Sequence, residues 1–217
     1  MSTVEPALGT AAPAGVSSHA IFGRVMGLVA VTVAFAAAGV WIGRDLSGWQ
    51  WFVPWLFALG CLIGLNVANA RRKQGLALTL LFAFGLLLGI SIGSTVHYYA
   101  ATDSKAVAQA AAATALFTAA LGAGGYATRR DLSALYRILF WLLLALIVFG
   151  IVLIFINIPG GATIYALLGL AIFAGYVLVD FNRLRRAGSD EVIPLAAGIF
   201  LDIFNIFLLF LQLFGRR

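Results

Sequence analysis

Residues 171–214 read AIFAGYVLVDFNRL, then RRAGSDEVIP, then LAAGIFLDIFNIFLLFLQLF. Two strongly apolar stretches flank a short polar link, and each belongs to a run long enough to cross a hydrocarbon core, which takes about 20 helical residues. A link this short forces the two segments to run antiparallel as neighbours, so the passage spells a transmembrane helical hairpin. Inside it stand Asp180 and Asp202. Of the eight Asp and Glu residues in 217, these two alone lie within apolar spans. A carboxylate at membrane depth costs several kcal/mol unless it is protonated, paired or wetted, so such residues mark ion or proton pathways.

Working outward, the same grammar repeats. Apolar runs fall at about 25–43, 51–70, 76–100, 106–126, 136–157, 162–182 and 192–214. The chain is 63% hydrophobic and 10% charged, with a mean hydropathy of +1.04. A water-soluble domain usually carries about 25% charged residues, which excludes that class. The runs lack the alternating polar positions of a barrel strand, so they are helices. The fold expected is an all-α membrane protein, a seven-transmembrane-helix bundle forming one domain over 21–217. Residues 1–20, rich in Ala, Ser, Thr, Gly and Pro without apolar periodicity, read as a disordered cytoplasmic tail. With Glu5 and no basic segment before the first run, the start is no signal peptide.

A net charge of +6 and a pI near 10.0 could suggest nucleic acid, but the cations are placed otherwise. Arg71, Arg72, Lys73, Arg129, Arg130, Arg183, Arg185 and Arg186 fall in alternate loops, and the opposite loops hold Arg44 and Lys105. That bias puts the N-terminus in the cytoplasm and excludes nucleic acid as the partner. A seventh full crossing would leave Arg216 and Arg217 outside, whereas a re-entrant last segment would return them inside. Seven crossings are the expected topology. The short loops and the Ala, Gly and Arg usage suggest a prokaryotic plasma (inner) membrane. The single cysteine, Cys61, excludes an intrachain disulfide and a cysteine metal cluster.

Several smaller features fit this frame. Trp49, Trp51, Trp55, Tyr98 and Tyr99 cluster at the outer interface. Asp131 is the expected N-cap of the fifth helix, with Ser133 competing. Gly85, Gly89 and Gly93 share one face of the third helix, where another helix can approach closely; Gly122, Gly124 and Gly125 offer a similar surface on the fourth. Gly89–Gly93 also matches G-x-S-x-G, with His97 following. A six-residue offset on one helix points Ser91 and His97 about 120° apart and ~9 Å along the axis, which prevents a catalytic contact. No enzyme is expected. His97 reads as an interfacial residue or a pH sensor on the outer side.

The hairpin geometry brings the two acids together. With the turn at about 185–192, Asp180 lies about eight residues before its centre and Asp202 about thirteen after it. At ~1.5 Å per residue their depths differ by only about 7 Å. Gly198, Asp202 and Asn205 form one small or polar stripe on the last helix, and Tyr176, Asp180 and Arg183 another on the sixth. Asn182 joins Tyr176 and Asn205 as a supporting polar group. Two carboxyls this close do not readily both ionise, so they share a proton: neutral and hydrogen-bonded in one state, anionic and repulsive in another. The anionic form offers hard oxygen ligands to Ca²⁺. The plainer alternative is salt bridging with Arg183, Arg185 or the 71–73 cluster.

The stretch YVLVDFNRL, a short charged turn, and IPLAAGIFLDIFNIFLLFL resemble the C-terminal signature of the transmembrane Bax inhibitor motif (Bax inhibitor-1-like) family. The ARRK after the second helix and the VHYYA that ends the third are similar too, and the likeness covers roughly 22–215. The resemblance implies a seven-helix fold with the C-terminal helix near the centre. It further implies a pH-sensitive passive calcium leak controlled by Asp180 and Asp202, which would bind calcium only transiently, with Arg71 or Arg72 as an arginine latch. The second helix reads FALGCLIGL where bacterial relatives can carry a glutamate, so a cation contact at that level is in doubt. No cofactor is expected beyond calcium as the permeant ion; the partners are membrane lipid, calcium, protons and an unnamed protein. The rival readings are a proton-coupled small-solute transporter and a non-conducting regulator of a protease or stress-response partner.

Overall fold

A computed structural model describes residues 18–215. The expected tail therefore lies outside the described residues as far as position 17, and so do Arg216 and Arg217. Seven helices follow one another: α1 (Ser18–Ile42), α2 (Phe52–Ala70), α3 (Gln74–Thr102), α4 (Ser104–Ala127), α5 (Ser133–Phe155), α6 (Gly161–Leu184) and α7 (Val192–Phe214), with a 3₁₀ turn at Gly43–Asp45 after α1. All seven are long and apolar enough to span a bilayer, and no strand occurs among the described residues. The last segment is one unbroken helix rather than a broken, re-entrant one.

The main difference from the expected boundaries is at α1, which begins seven residues before the apolar run at 25. Backbone hydrogen bonding continues the helix through His19 and Arg24 although hydropathy does not mark them. At the other end of α3 the connection to α4 is a single residue. Asp103 ends α3, and its Oδ1 accepts the Ala106 amide at 3.1 Å as the N-cap of α4. The α5–α6 link needs Gly160, which sits at φ 74°, a left-handed conformation that costs an L-residue ~1–2 kcal/mol.

Alternation puts the start of α1 and the α2–α3, α4–α5 and α6–α7 links at one end of the bundle, called here the turn end. It carries Arg71, Arg72, Lys73, Arg129, Arg130, Arg185 and Arg186, against Arg44 and Lys105 at the opposite end.

Small residues set the packing. The Gly85, Gly89 and Gly93 stripe of α3 lies directly on α1 and the 3₁₀ turn after it, where a Cβ would overlap Thr32, the Ala36 carbonyl and the Gly43 backbone respectively. Gly122 of α4 receives the Phe181 ring of α6, and Gly125 the Leu178 backbone. α7 packs against α1, α2, α3, α4 and α6. α5 packs mainly on α6 and buries only Leu139 and Leu146, turning residues such as Phe140, Trp141 and Ile154 outward. Outward apolar side chains are what a lipid surround demands of a helix whose backbone bonds are already satisfied.

A buried carboxylate pair between α6 and α7

The α6–α7 turn positions the pair. Arg183 closes it, donating from Nε at 3.0 Å and Nη2 at 2.6 Å to one Glu191 oxygen, while the Glu191 second oxygen accepts the Gly188 amide at 3.3 Å. This fastens the last turn of α6 to the residue before α7. From there the helices run antiparallel into the bundle, and the acids fall on their facing sides.

Asp180 is 4% exposed and Asp202 5%. The Asp180 carboxylate lies against Gly198 of α7; a Cβ there would stand 2.7 Å from its Oδ2. Gly198 thus acts as the notch that admits the acid. Asp202 is one helical turn further along, about 6 Å deeper, close to the separation expected from the hairpin. Each acid is within electrostatic reach of the other. Neither accepts a hydrogen bond from a described residue, and Asp202 Oδ2 is a fully buried oxygen without a partner. A buried polar atom left unpaired costs ~1–3 kcal/mol, more if charged, so the site holds two carboxyls under strong pressure to share a proton or capture a cation.

Two tyrosines stand near the acids, Tyr176 buried and Tyr136 exposed. Tyr176 is 7% exposed, and its ring meets that of Tyr136 from α5 edge-on at 5.4 Å. Both tyrosines lie within electrostatic reach of both carboxylates. Tyr136 is the residue that sequence reasoning missed. It looks like one more aromatic near a helix start, and only the docking of α5 on α6 brings its ring to Tyr176, within electrostatic reach of the pair.

The other expected site residues divide. Arg183 shares the stripe of Asp180 and is within its electrostatic reach, but its hydrogen bonds go to Glu191. Asn205 turns away from the pair. Its amide donates to Leu201 O of its own helix at 2.7 Å, and with Ser91 and Trp55 it lines a separate cavity of about 210 Å³ beside α2 and α3. A three-residue step displaces it some 60° round the helix from Asp202, enough to change neighbours. His97 is exposed near the opposite end. Arg71 and Arg72 end α2 and are exposed, and among the described residues neither forms an ion pair with Asp180 or Asp202. They are nevertheless held beside the hairpin, because Asn69 donates at 2.9 Å to the Asp190 carbonyl in the α6–α7 turn. Arg72 sits at φ 57°, a costly conformation for a side chain-bearing residue.

Asn182 has a larger part than a supporting one. It is fully buried, and its Nδ2 donates to the carbonyls of Gly125 at 3.3 Å, Thr128 at 2.7 Å and Arg130 at 3.0 Å. Its Oδ1 accepts the Leu132 amide at 3.2 Å and Arg186 Nη2 at 2.9 Å. One side chain therefore ties the whole α4–α5 link to the helix that carries Asp180. Arg186 continues the network to Asp131 Oδ1 at 2.8 Å, which also accepts the Ser133 amide and hydroxyl. Asp131 is thus not the N-cap of α5, and neither is Ser133: Leu132 holds that position without a side-chain cap bond. The arginine contact, reinforced by Ser133, holds the exposed Asp131 carboxyl well below the usual carboxylate range, and Asp131 in turn pushes Arg186 up.

As a cation site the pair is sparse. Ca²⁺ takes 6–8 oxygens, and no cluster of three His, Cys, Asp or Glu exists among the described residues. Two carboxylates fall well short of that number, so the pair alone does not make a resident calcium site.

Residues 18–217 match the family described as inhibitor of apoptosis-promoting Bax1 (Bax1-I). Among similar proteins, an uncharacterized membrane protein of Vibrio cholerae is 27% identical over 193 residues, covering 88% of this chain and 85% of its own length. A Lactococcus lactis protein is 27% identical over 216 residues, 91% of each chain. An uncharacterized membrane protein of Streptococcus pyogenes serotype M1 is 26% identical over 164 residues, 72% of this chain and 70% of its own.

Proposed function

This chain belongs to the family of the inhibitor of apoptosis-promoting Bax1, the Bax inhibitor-1-like family, and from that premise we propose that it is a pH-sensitive passive calcium leak gated by the Asp180–Asp202 pair. The observation that carries the reading is the buried, unpartnered Asp202 Oδ2 one turn from a second buried carboxyl. With a proton shared, the pair is close to neutral and α6 and α7 stay packed. With both acids ionised, repulsion between them weakens that packing, and the doubly anionic site attracts a divalent cation passing down its gradient. Arg71 or Arg72, exposed at the end of α2 and tied to the α6–α7 turn through the Asn69–Asp190 bond, would close the gate again in this reading by pairing with the ionised acids. Contact of α7 with five of the other helices favours a place for it near the bundle centre. The cation-rich turn end faces the cytoplasm in this reading, with the protein in a prokaryotic inner membrane and its N-terminus inside.

One observation favours a second reading. A cavity of about 550 Å³ between α1, α3, α4 and α7, lined by residues such as Ala36, Val96, Thr118 and Phe204, would admit a small apolar solute; in a proton-coupled transporter the same acids would relay the proton. Liposomes distinguish the two. Purified protein should raise the flux of Ca²⁺ down its gradient without an added proton gradient. No calcium flux, with saturable solute uptake driven by a proton gradient, would replace the leak with the transporter.

A further inference from the structure

A groove of about 480 Å³ runs along the turn end between α1, α3 and the start of α7, apart from the carboxylate pair. Arg24, Gln74 and Ser189 stand at its mouth, and Gly27, Val31 and Leu78 line its length. Two features make it more than a seam between helices. Arg24 is exposed and has no ion-pair partner among the described residues. Gly23 and Gly27, one turn apart on the same face, open onto empty space, with nothing within 4 Å of where a Cβ would stand.

A cation at the rim above an apolar channel fits an amphiphile with a negative head. From Arg24 to Val31 the channel follows α1 for about 10 Å. That is too short to seat a partner helix, itself 10–12 Å across with its side chains, but it suits the upper part of one acyl chain. The two carboxylates that follow Ser189 in the turn do not oppose an anion strongly: Glu191 is engaged by Arg183, and Asp190 folds back over Gly188, its Oδ1 2.7 Å from the position of a Cβ there. Arg71, Arg72 and Lys73 add positive field at the same end.

We infer that this groove is a binding site for one anionic phospholipid, its phosphate at Arg24 with Gln74 and Ser189, and one acyl chain laid over Gly27 against Val31 and Leu78. A zwitterionic headgroup would set its quaternary amine beside an uncompensated guanidinium, so the site discriminates by charge as well as by shape.

Native mass spectrometry of the purified full chain, mixed with equal phosphatidylglycerol and phosphatidylcholine, tests this. The expected result is preferential retention of one phosphatidylglycerol. Arg24→Gln should lower that preference about five-fold, the value of one cation near a headgroup, and Arg24→Lys should keep most of it. Gly27→Leu should lower retention of both lipids without changing their ratio, because it fills the channel. Lys105→Gln, at the opposite end, should leave everything unchanged. An unchanged preference in Arg24→Gln would overturn the site, as would an equal loss in Lys105→Gln. Displacement of the lipid by glycerol phosphate lacking acyl chains would overturn it in favour of a free phosphate ester.

Discussion

Truncating Asn182 gives a sharp test of how the bundle holds its turn end. The side chain is fully buried and makes five hydrogen bonds to the α4–α5 link and Arg186. In Asn182→Ala the Thr128 and Arg130 carbonyls and the Leu132 amide lose the only partners they have among the described residues. At ~1–3 kcal/mol for each buried polar group left unpaired, and with all three only partly screened from water, the loss comes to about 2–4 kcal/mol. Asn182→Asp separates hydrogen bonding from packing: it keeps the volume but offers an anion to three carbonyls, so it should destabilise at least as much. Unfolding of the reconstituted protein by sodium dodecyl sulfate gives the free energy, and amide exchange at Leu132 gives the local effect. A loss under ~1 kcal/mol, or a Leu132 amide no less protected than in the wild type, would refute the clamp.

Three further outcomes follow from named contacts. Gly89→Leu drives a side chain into the Ala36 backbone of α1 and should cost about 1–3 kcal/mol or more, whereas Gly75→Leu, which meets open space, should be near neutral; sodium dodecyl sulfate titration compares them. The Asp131 carboxyl is held below its ordinary value of 3.8 by Arg186 and Ser133. Its contribution to stability is therefore complete above that pH and lost as pH falls below it, and Asp131→Asn should flatten this acid limb in thermal denaturation measured across pH. Gly198→Ala places a methyl group 2.7 Å from Asp180 Oδ2 and should shift the pH profile of calcium flux in liposomes while leaving the helical content seen by circular dichroism intact.

The seven helices are legible because hydrocarbon thickness and backbone satisfaction leave an apolar chain few alternatives. The depth of Asp180 relative to Asp202 is legible too, since a short turn fixes the register of a hairpin to within a turn of helix. The Gly85–Gly93 stripe announces a close helix contact, but not that α1 fills it. Failures begin where the outcome depends on rotation about a helix axis or on contact between helices distant in sequence. Asn205 shares a three-residue spacing with Asp202, yet a rotation of some 60° sends it to a different cavity. Tyr136 meets Tyr176, on the helix that carries Asp180, only through the docking of α5 on α6. Asn182 binds carbonyls more than fifty residues upstream, which no local spacing encodes.

The gate itself is tested most directly by calcium flux into liposomes measured as a function of pH, comparing the wild type with Asp180→Asn and Asp202→Asn. Each substitution removes one carboxyl from the pair and nearly preserves its volume. A gate worked by a shared proton predicts a pH-dependent flux in the wild type that flattens in both variants. An identical pH dependence in all three proteins would contradict it.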